Sequence, residues 1–198
     1  MNTNQHTETN ELFPVFFKLN QLRILIVGGG YVGMEKLEAV LSNSPRALVK
    51  LVAITISYEI KQLAVSYPNL TLVEKPYDSS VFEDVDIAIV AINEPLISSE
   101  IARDARIKKI LVNVADKPAL CDFYLGSVVK KGNLKIAIST NGQSPTIAKR
   151  LKEVLNDAIP DEMNSLLDNM KNIRSKIKGD FAEKVRQLNE ITKELSIK

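Results

Sequence analysis

The sequence predicts an α/β protein: a parallel sheet with helical crossovers, then a small hairpin-containing unit and a helical C-terminal region. Three observations carry that prediction. Short apolar runs alternate with helical patterns over residues 23–114, as in right-handed strand–helix–strand crossovers of a parallel sheet. The first of these runs, Ile24–Val27, passes directly into a glycine-rich turn and then into a helical pattern. Beyond Asp116 the alternation stops. Two strand-like runs flank Lys131-Gly132-Asn133, and most of the chain after them has helical spacing.

In chain order, residues 1–11 are polar and read as a disordered lead, without the basic and apolar regions of a signal peptide. Pro14–Leu19, PVFFKL, reads as a short strand with its proline at the tolerated first position. Asn20-Gln21 turns the chain into the buried strand Ile24–Val27. A helix follows from Tyr31 to about Leu41, with Leu37, Val40 and Leu41 facing inward. Leu48–Ile56 is β-branched and apolar, a second buried strand. Then come a short helix near Tyr58–Ser66, a strand at Leu70–Val73 and a loop at Pro76-Tyr77-Asp78. Asp86–Ile92 is a buried strand ending at Asn93. Ile97–Arg106 is a helix, and Ile110–Val114 a strand ending at Ala115-Asp116.

Phe123–Lys130 and Leu134–Ser139 form the expected hairpin. The loop Ser139–Pro145 leads into a helix running to about Ala158, with Ser144 as N-cap and Pro145 in the first turn. Leu166, Met170, Ile173 and Ile177 make one apolar stripe. Gly179-Asp180 breaks it, and Phe181, Val185, Leu188, Ile191 and Leu195 make another. These stripes read as core or dimer packing. The cluster Lys171, Arg174, Lys176 and Lys178 beside the break reads as a solvated face. The expected division is a parallel-sheet domain at 12–116, a hairpin segment at 117–145 and a helical domain at 146–198.

Composition removes several function classes. The 198 residues are 45% hydrophobic and 25% charged, ordinary for a globular protein. A net charge of +2 gives no reason to expect nucleic-acid binding. No apolar run approaches the ~18 residues of a membrane helix. The single cysteine, Cys121, allows no intrachain disulfide and fits a reducing cytoplasm; it reads as a small buried apolar residue. The one histidine, His6, sits in the polar lead, so no metal site and no Ser-His-Asp triad is expected.

The chemistry gathers at strand ends. Gly28, Gly30 and Gly33 satisfy G-x-G-x-x-G between a strand and a helix. In a Rossmann-like domain the first allows the tight turn, the second lets a pyrophosphate approach, and the third lets helix and strand pack closely. The helix start offers free N–H groups and a partial positive charge to the phosphates. The alternative is a glycine-rich turn with no ligand. The tip of the second strand, Ala53-Ile54-Thr55-Ile56-Ser57, lacks the carboxylate usually offered to the ribose, and no arginine stands there for a 2′-phosphate. Thr55 or Ser57 could hydrogen-bond the ribose instead. Gly28, Thr55, Asn93 and Asp116 all fall at carboxyl ends of strands, where such sheets bind ligands.

In order, PVFFKL (14–19), ILIVGGGYVG (24–33), Val-Asn-Val-x-Asp-x-Pro (112–118), CDF (121–123) and IAISTNGQSPTIAKRL (136–151) resemble the N-terminal module of siroheme synthases. That family comprises precorrin-2 dehydrogenases, some also sirohydrochlorin ferrochelatases. The resemblance covers about residues 12–160. It implies a Rossmann domain, a dimerisation domain and a helical tail, an intimate homodimer, and a tetrapyrrole held near the nicotinamide. It implies NAD-dependent oxidation of precorrin-2 to sirohydrochlorin, in some members followed by Fe²⁺ insertion. The family's catalytic aspartate maps to Asp116, and its loop serine to Ser144 near the substrate. Cofactor positions carry over to Tyr31, Val32, Ile54 and Thr55, beside the glycines.

The residues agree on their own terms. Dehydrogenation needs a hydride acceptor and a proton acceptor, and Asp116 at a strand tip is placed for the second. Its alternative is a turn residue before Lys117-Pro118. Ser144 could be a plain N-cap, a substrate contact or both. A substrate rich in carboxylates calls for cations; Lys149 and Arg150 are the candidates, and an exposed helix face is their alternative. The competing function is a non-catalytic NAD-sensing regulatory domain. Such domains usually keep the acid that is missing here at the second strand tip.

Overall fold

The computed structural model describes residues 10–193. His6, Leu195 and the lead up to residue 9 lie outside the described residues. The chain divides after Leu125 into two compact units.

The first unit is a five-stranded parallel sheet in the order β3-β2-β1-β4-β5. Its strands are β1 (Arg23–Val27), β2 (Leu48–Ala53), β3 (Leu70–Glu74), β4 (Ile87–Val90) and β5 (Leu111–Val114). Its helices are α1 (Tyr31–Asn43), α2 (Tyr58–Ala64) and α3 (Pro95–Ile107). The period-two pleat sorts the central residues onto two faces. Leu25, Val27, Ala88 and Val90 pack with Ile101, Ala102 and Ala105 of α3. Ile24, Ile26, Ile87 and Ile89 pack with Leu37, Val40 and Leu41 of α1. Burial on both faces explains why β1 and β4 read as continuous apolar runs. The connection from β3 to β4 holds only a short 3₁₀ turn, Ser79–Phe82, whose Val81 and Phe82 fill the first core.

At the amino edge Arg23 joins the two central strands: its backbone N–H and Nε both donate to Asp86 Oδ2, at 2.7 and 3.1 Å. These bonds hold the Asp86 carboxyl below its ordinary range.

The edge strand β5 is closed by the chain returning after it. Val112 N–H donates to Asp122 Oδ2 at 3.0 Å, while Asp122 N–H donates to the Val112 carbonyl at 2.7 Å. Val114 N–H donates to Cys121 Sγ at 3.2 Å, and Asn113 Nδ2 to the Phe123 carbonyl at 2.8 Å. An otherwise open sheet edge is thus occupied by side chains. Cys121 is partly buried and hydrogen-bonded rather than a simple apolar filler, and burial pushes its thiol pKa up.

Several boundaries differ from the sequence reading. Pro14–Leu19 is not a strand: residues 10–18 have no regular structure, and a 3₁₀ turn follows at Leu19–Gln21. A strand needs a free edge, and β1 is already flanked by β2 and β4. Phe13 and Phe16 stay exposed, while Phe17 meets Phe123 edge-to-face at 6.2 Å. The second strand stops at Ala53, and Ile54 and Thr55 bend away. The first hairpin strand begins at Ser127 rather than Phe123, since residues 121–123 are engaged with β5.

The second unit opens with the antiparallel hairpin β6 (Ser127–Lys131) and β7 (Leu134–Ile138). Gly132 takes φ +59° in its turn, a conformation glycine adopts freely. Helix α4 (Pro145–Ala158) packs on the hairpin. Helices α5 (Met163–Lys176) and α6 (Phe181–Ile191) follow. Asn164 Oδ1 accepts from Asn133 N–H at 2.8 Å and ties α5 to the hairpin turn. Gly179 lies at φ +114° in the break between α5 and α6, and Asp180 Oδ1 caps α6 by accepting from Glu183 N–H at 2.9 Å.

Asp122→Ala is expected to leave the Val112 N–H and Arg106 without their carboxylate partner, at a cost of about 1–3 kcal/mol. Calorimetric melting should show Tm falling by roughly 2–4 °C per kcal/mol, and Asp122→Asn, which keeps an acceptor, should recover most of the loss.

Candidate functional site

The site grows from the turn between β1 and α1. Gly28 has φ +130°, and a Cβ there would fall 2.2 Å from the Ala91 carbonyl oxygen beyond β4. A Cβ on Gly33 would fall 2.1 Å from the Gly28 carbonyl oxygen, so this helix start can approach its strand only through bare backbone. Gly29, not singled out from the sequence, would meet the Thr55 carbonyl oxygen at 2.3 Å. Gly30 is different: nothing lies within 4 Å of a Cβ built there. Three glycines close the turn against the protein, and the fourth faces open space.

Backbone hydrogen bonds hold this arrangement. Gly28 N–H donates to the Val52 carbonyl and Ser57 N–H to the Gly29 carbonyl, both at 2.9 Å, and Ala91 N–H to the Val27 carbonyl at 2.7 Å. Gly30 is the N-cap of α1 and supplies no side-chain acceptor, and no acid occupies the first turn. The N-terminal N–H groups and dipole of this 13-residue helix are therefore presented to an anion. The residues fit a dinucleotide on this observation: an uncapped helix start beside a cradle that any side chain at residue 30 would enter.

The other residues singled out in this unit lie at the same carboxyl edge. Tyr31 is exposed in the first turn of α1, with Val32 half-buried beside it. Ile54 and Thr55 are exposed where β2 ends, and Asn93 where β4 ends. Ser57 is half-buried and its Oγ accepts from Ile60 N–H as the cap of α2, whereas Thr55 is exposed. The sequence reading found no carboxylate at the β2 tip. The structure brings one there from the end of β3: Glu74 Oε1 accepts from Ile56 N–H at 3.0 Å and pairs with Lys61 at 2.9 Å. These bonds lower its pKa, Lys61 contributing most.

Asp116 is exposed at φ +58°, inside a turn closed by Lys117 N–H donating to the Val114 carbonyl at 3.2 Å. Aspartate tolerates this left-handed conformation better than most residues. The turn is anchored on both sides. Ala115 N–H donates to the Val90 carbonyl at 2.9 Å, and Lys117 Nζ donates to Ser98 Oγ at 2.9 Å. Ser98 is wholly buried on the inner face of α3. Neither Ser98 nor Lys117 was found from the sequence. The available signal was one hydroxyl in the otherwise apolar stripe Ser98, Ile101, Ala102, Ala105.

Ser144, Lys149 and Arg150 belong to the second unit. Ser144 Oγ accepts from Ile147 N–H at 3.2 Å as the α4 cap, and Thr140 Oγ1 bonds its backbone N–H and carbonyl, both at 3.1 Å. Lys149 is exposed on α4, while Arg150 pairs with Glu153 at 2.6 Å. Among the described residues no group of three or more His, Cys, Asp or Glu side chains could hold a metal ion. No helix among them is long and apolar enough to cross a membrane.

A doubly wound parallel sheet with a glycine turn at its β1/β4 switch point defines the class of dinucleotide-binding domains. The chain belongs to the family described as "Putative NAD(P)-binding", whose model matches residues 15–127. A second model, described as "Sirohaem biosynthesis protein central", matches residues 131–158. Among curated relatives, the siroheme synthase of Psychrobacter cryohalolentis is 33% identical over 176 residues, covering 89% of this chain and 32% of the relative. The siroheme synthase of Escherichia coli O139:H28 is 30% identical over 169 residues, 85% of this chain and 36% of the relative. The chain thus spans about a third of the length of these relatives. Among solved structures, a precorrin-2 dehydrogenase, SirC, superposes with a TM-score of 0.72 at 23% identity, covering 91% of this chain and 89% of that one. It has the same fold.

Gly30→Asp separates binding from folding. Gly30 sits at φ −97°, an ordinary conformation for any residue, and aspartate is a favoured N-cap. Tm should hold or rise, while dinucleotide affinity measured by calorimetry falls at least about tenfold, or ~1.4 kcal/mol. Undiminished affinity would remove this turn from the site.

Proposed function

We propose that this chain is an NAD-dependent precorrin-2 dehydrogenase, converting precorrin-2 to sirohydrochlorin as a cytoplasmic homodimer. The observation that carries the reading is Asp116, an exposed carboxylate on an anchored turn at the same sheet edge as the glycine cradle. The siroheme synthase names of the relatives and the fold of a precorrin-2 dehydrogenase support the choice of substrate. In this reading residues 12–116 bind the dinucleotide, 117–145 form the dimerisation hairpin segment, and 146–198 form the helical domain.

The nicotinamide, when bound, takes up a hydride. The chain's own residues do the rest. Gly28 and Gly33 hold the turn tight, and Gly30 would leave room for the pyrophosphate at the N-terminal N–H groups of α1. Tyr31, Val32, Ile54, Thr55 and Asn93 would complete the dinucleotide site at this edge, with Thr55 offering a hydroxyl to a ribose. With the hydride leaving one substrate carbon for the nicotinamide, Asp116 would accept the proton lost from a second C–H or N–H bond of the substrate; a base carried on an anchored turn loses less freedom on reaction than one on a mobile loop. The Lys117–Ser98 bond anchors the turn that carries Asp116. Ser144, Lys149 and Arg150 contact the substrate, the two cations serving its carboxylates. The homodimer is supported by Ile147, Leu151 and Val154, which form an exposed apolar stripe on α4.

Asp116→Asn keeps the turn, since asparagine also tolerates positive φ, and removes the base. Single-turnover reduction of NAD by precorrin-2 should slow by about a hundredfold or more, with NAD affinity and Tm unchanged. A rate near wild type would make Asp116 a turn residue only, and no reduction by the wild-type chain would leave a dinucleotide-binding protein without this activity.

Sedimentation at micromolar concentration should show a dimer. Leu151→Glu on the exposed α4 stripe should shift it to monomer with α4 still helical by circular dichroism.

A further inference from the structure

The corner between α5 and α6 holds a feature that the dehydrogenase reading does not use. Gly179 and Asp180 turn the chain within four residues, setting the last turns of α5 against the first of α6. The corner carries a shallow, open depression of about 490 Å³ lined by Lys171, Arg174, Ser175, Gly179, Phe181 and Lys184. A second lobe of about 210 Å³ shares Arg174, Phe181 and Lys184, and adds Val185 and Leu188. Both lobes hold the Arg174 and Lys184 cations beside the Phe181 ring, and the smaller adds an apolar wall. The Phe181 ring, 74% exposed, belongs to both.

What sets this corner apart from a solvated basic face is that its unpaired cations line a common depression beside an exposed aromatic ring. Lys171, Arg174 and Lys184 make no ion pair among the described residues. The arginines elsewhere on α4 and α6 are paired, Arg150 with Glu153 and Arg186 with Glu183. The two acids at the start of α6 are already engaged. Asp180 caps α6, and Glu183 is bound by Arg186 and Gln187, which hold its carboxyl down to about 2. Three unneutralised cations therefore converge on a concave surface with an exposed aromatic ring, where their repulsion is relieved by a bound anion.

The dimensions narrow the ligand. A volume of about 490 Å³ exceeds a single phosphate or acetate and lies in the roughly 300–1,000 Å³ range of small-molecule sites. Three cations on two helices call for more than one anionic group, and Phe181 with Val185 and Leu188 calls for a flat apolar body. We infer that the α5–α6 corner is a second ligand site, for a flat ring bearing several carboxylates or phosphates. Two sources share that chemistry: a polycarboxylated tetrapyrrole and a nucleoside polyphosphate. Assigning the tetrapyrrole rests on the function proposed above; the site itself does not.

The test titrates the full chain separately with uroporphyrin, an octacarboxylate macrocycle, and with ATP, following uroporphyrin fluorescence and the heat of ATP binding. Uroporphyrin should bind, and Arg174→Glu/Lys184→Glu should weaken it by at least about tenfold, with a smaller loss for Phe181→Ala. Gly30→Asp and Asp116→Asn should leave this binding in place. ATP binding with the same sensitivity to residues 174 and 184, and insensitive to Gly30→Asp, would support the site while assigning it to nucleotides. Neither probe binding, or binding indifferent to the double charge reversal in a variant of unchanged Tm, would overturn it. So would a double variant that loses only its self-association, since the corner would then be an interface between copies. Wild-type precorrin-2 oxidation is measured beside these titrations, so failure of the site and failure of the dehydrogenase reading give different results.

Discussion

The carboxyl edge of the sheet depends on one steric constraint: backbone touches backbone where β1 turns into α1. The Gly33 backbone lies so close to the Gly28 carbonyl, and the Gly28 backbone to Ala91, that no side chain fits between them. That proximity aims α1 along the carboxyl end of β1 and brings the ends of β1, β2 and β4 into hydrogen-bonding register around the turn. It also leaves the α1 N-terminus without a side-chain cap. The unsatisfied N–H groups that weaken a helix end in isolation are what make it fit to receive a diphosphate.

A second constraint acts on β5. An edge strand of four residues presents unpaired backbone groups, and here the chain covers them with its own next segment. Asp122, Cys121 and Asn113 supply the hydrogen bonds that another strand would supply. The short return this requires forces a tight turn at 114–117, and Asp116 takes the positive φ of that turn. The turn-residue and catalytic readings of Asp116 are therefore not rivals. A side chain held by a strained, doubly anchored turn is better preorganised than one on a free loop. The same return explains the spacing of VNV and CDF: the two segments bond to each other.

The helical unit distributes charge unevenly. Most of its arginines pair one turn away on their own helix, an arrangement worth little in stability. The cations at the α5–α6 corner do not, and the two acids that begin α6 serve as its cap and as the partner of Arg186. Lys171, Arg174 and Lys184 are thereby left with an uncompensated field in a concave place.

Much of this architecture is local information. The period-two and continuous apolar runs of β1, β2 and β4, the inward stripe of α1, the span of α4 with its Ser144 cap, and the Gly179-Asp180 break all follow from neighbouring residues, and all were legible. So were the glycine spacing and the location of Thr55, Asn93 and Asp116 past strand ends. Other features were not legible, because they depend on partners far along the chain. PVFFKL has strand composition but finds no free edge beside β1. Glu74 reaches the β2 tip only because β3 pairs in register with β2. Lys117 meets Ser98 across 19 residues, and Asp122 leaves the hairpin for Val112. Sequence by itself determined which segments could be strands, helices and turns, since propensity and periodicity act over a few residues. The tertiary structure alone decided which edges were free, which side chains were consumed in holding the fold and which remained available for chemistry, since hydrogen-bond partners and steric room exist only once distant segments have met.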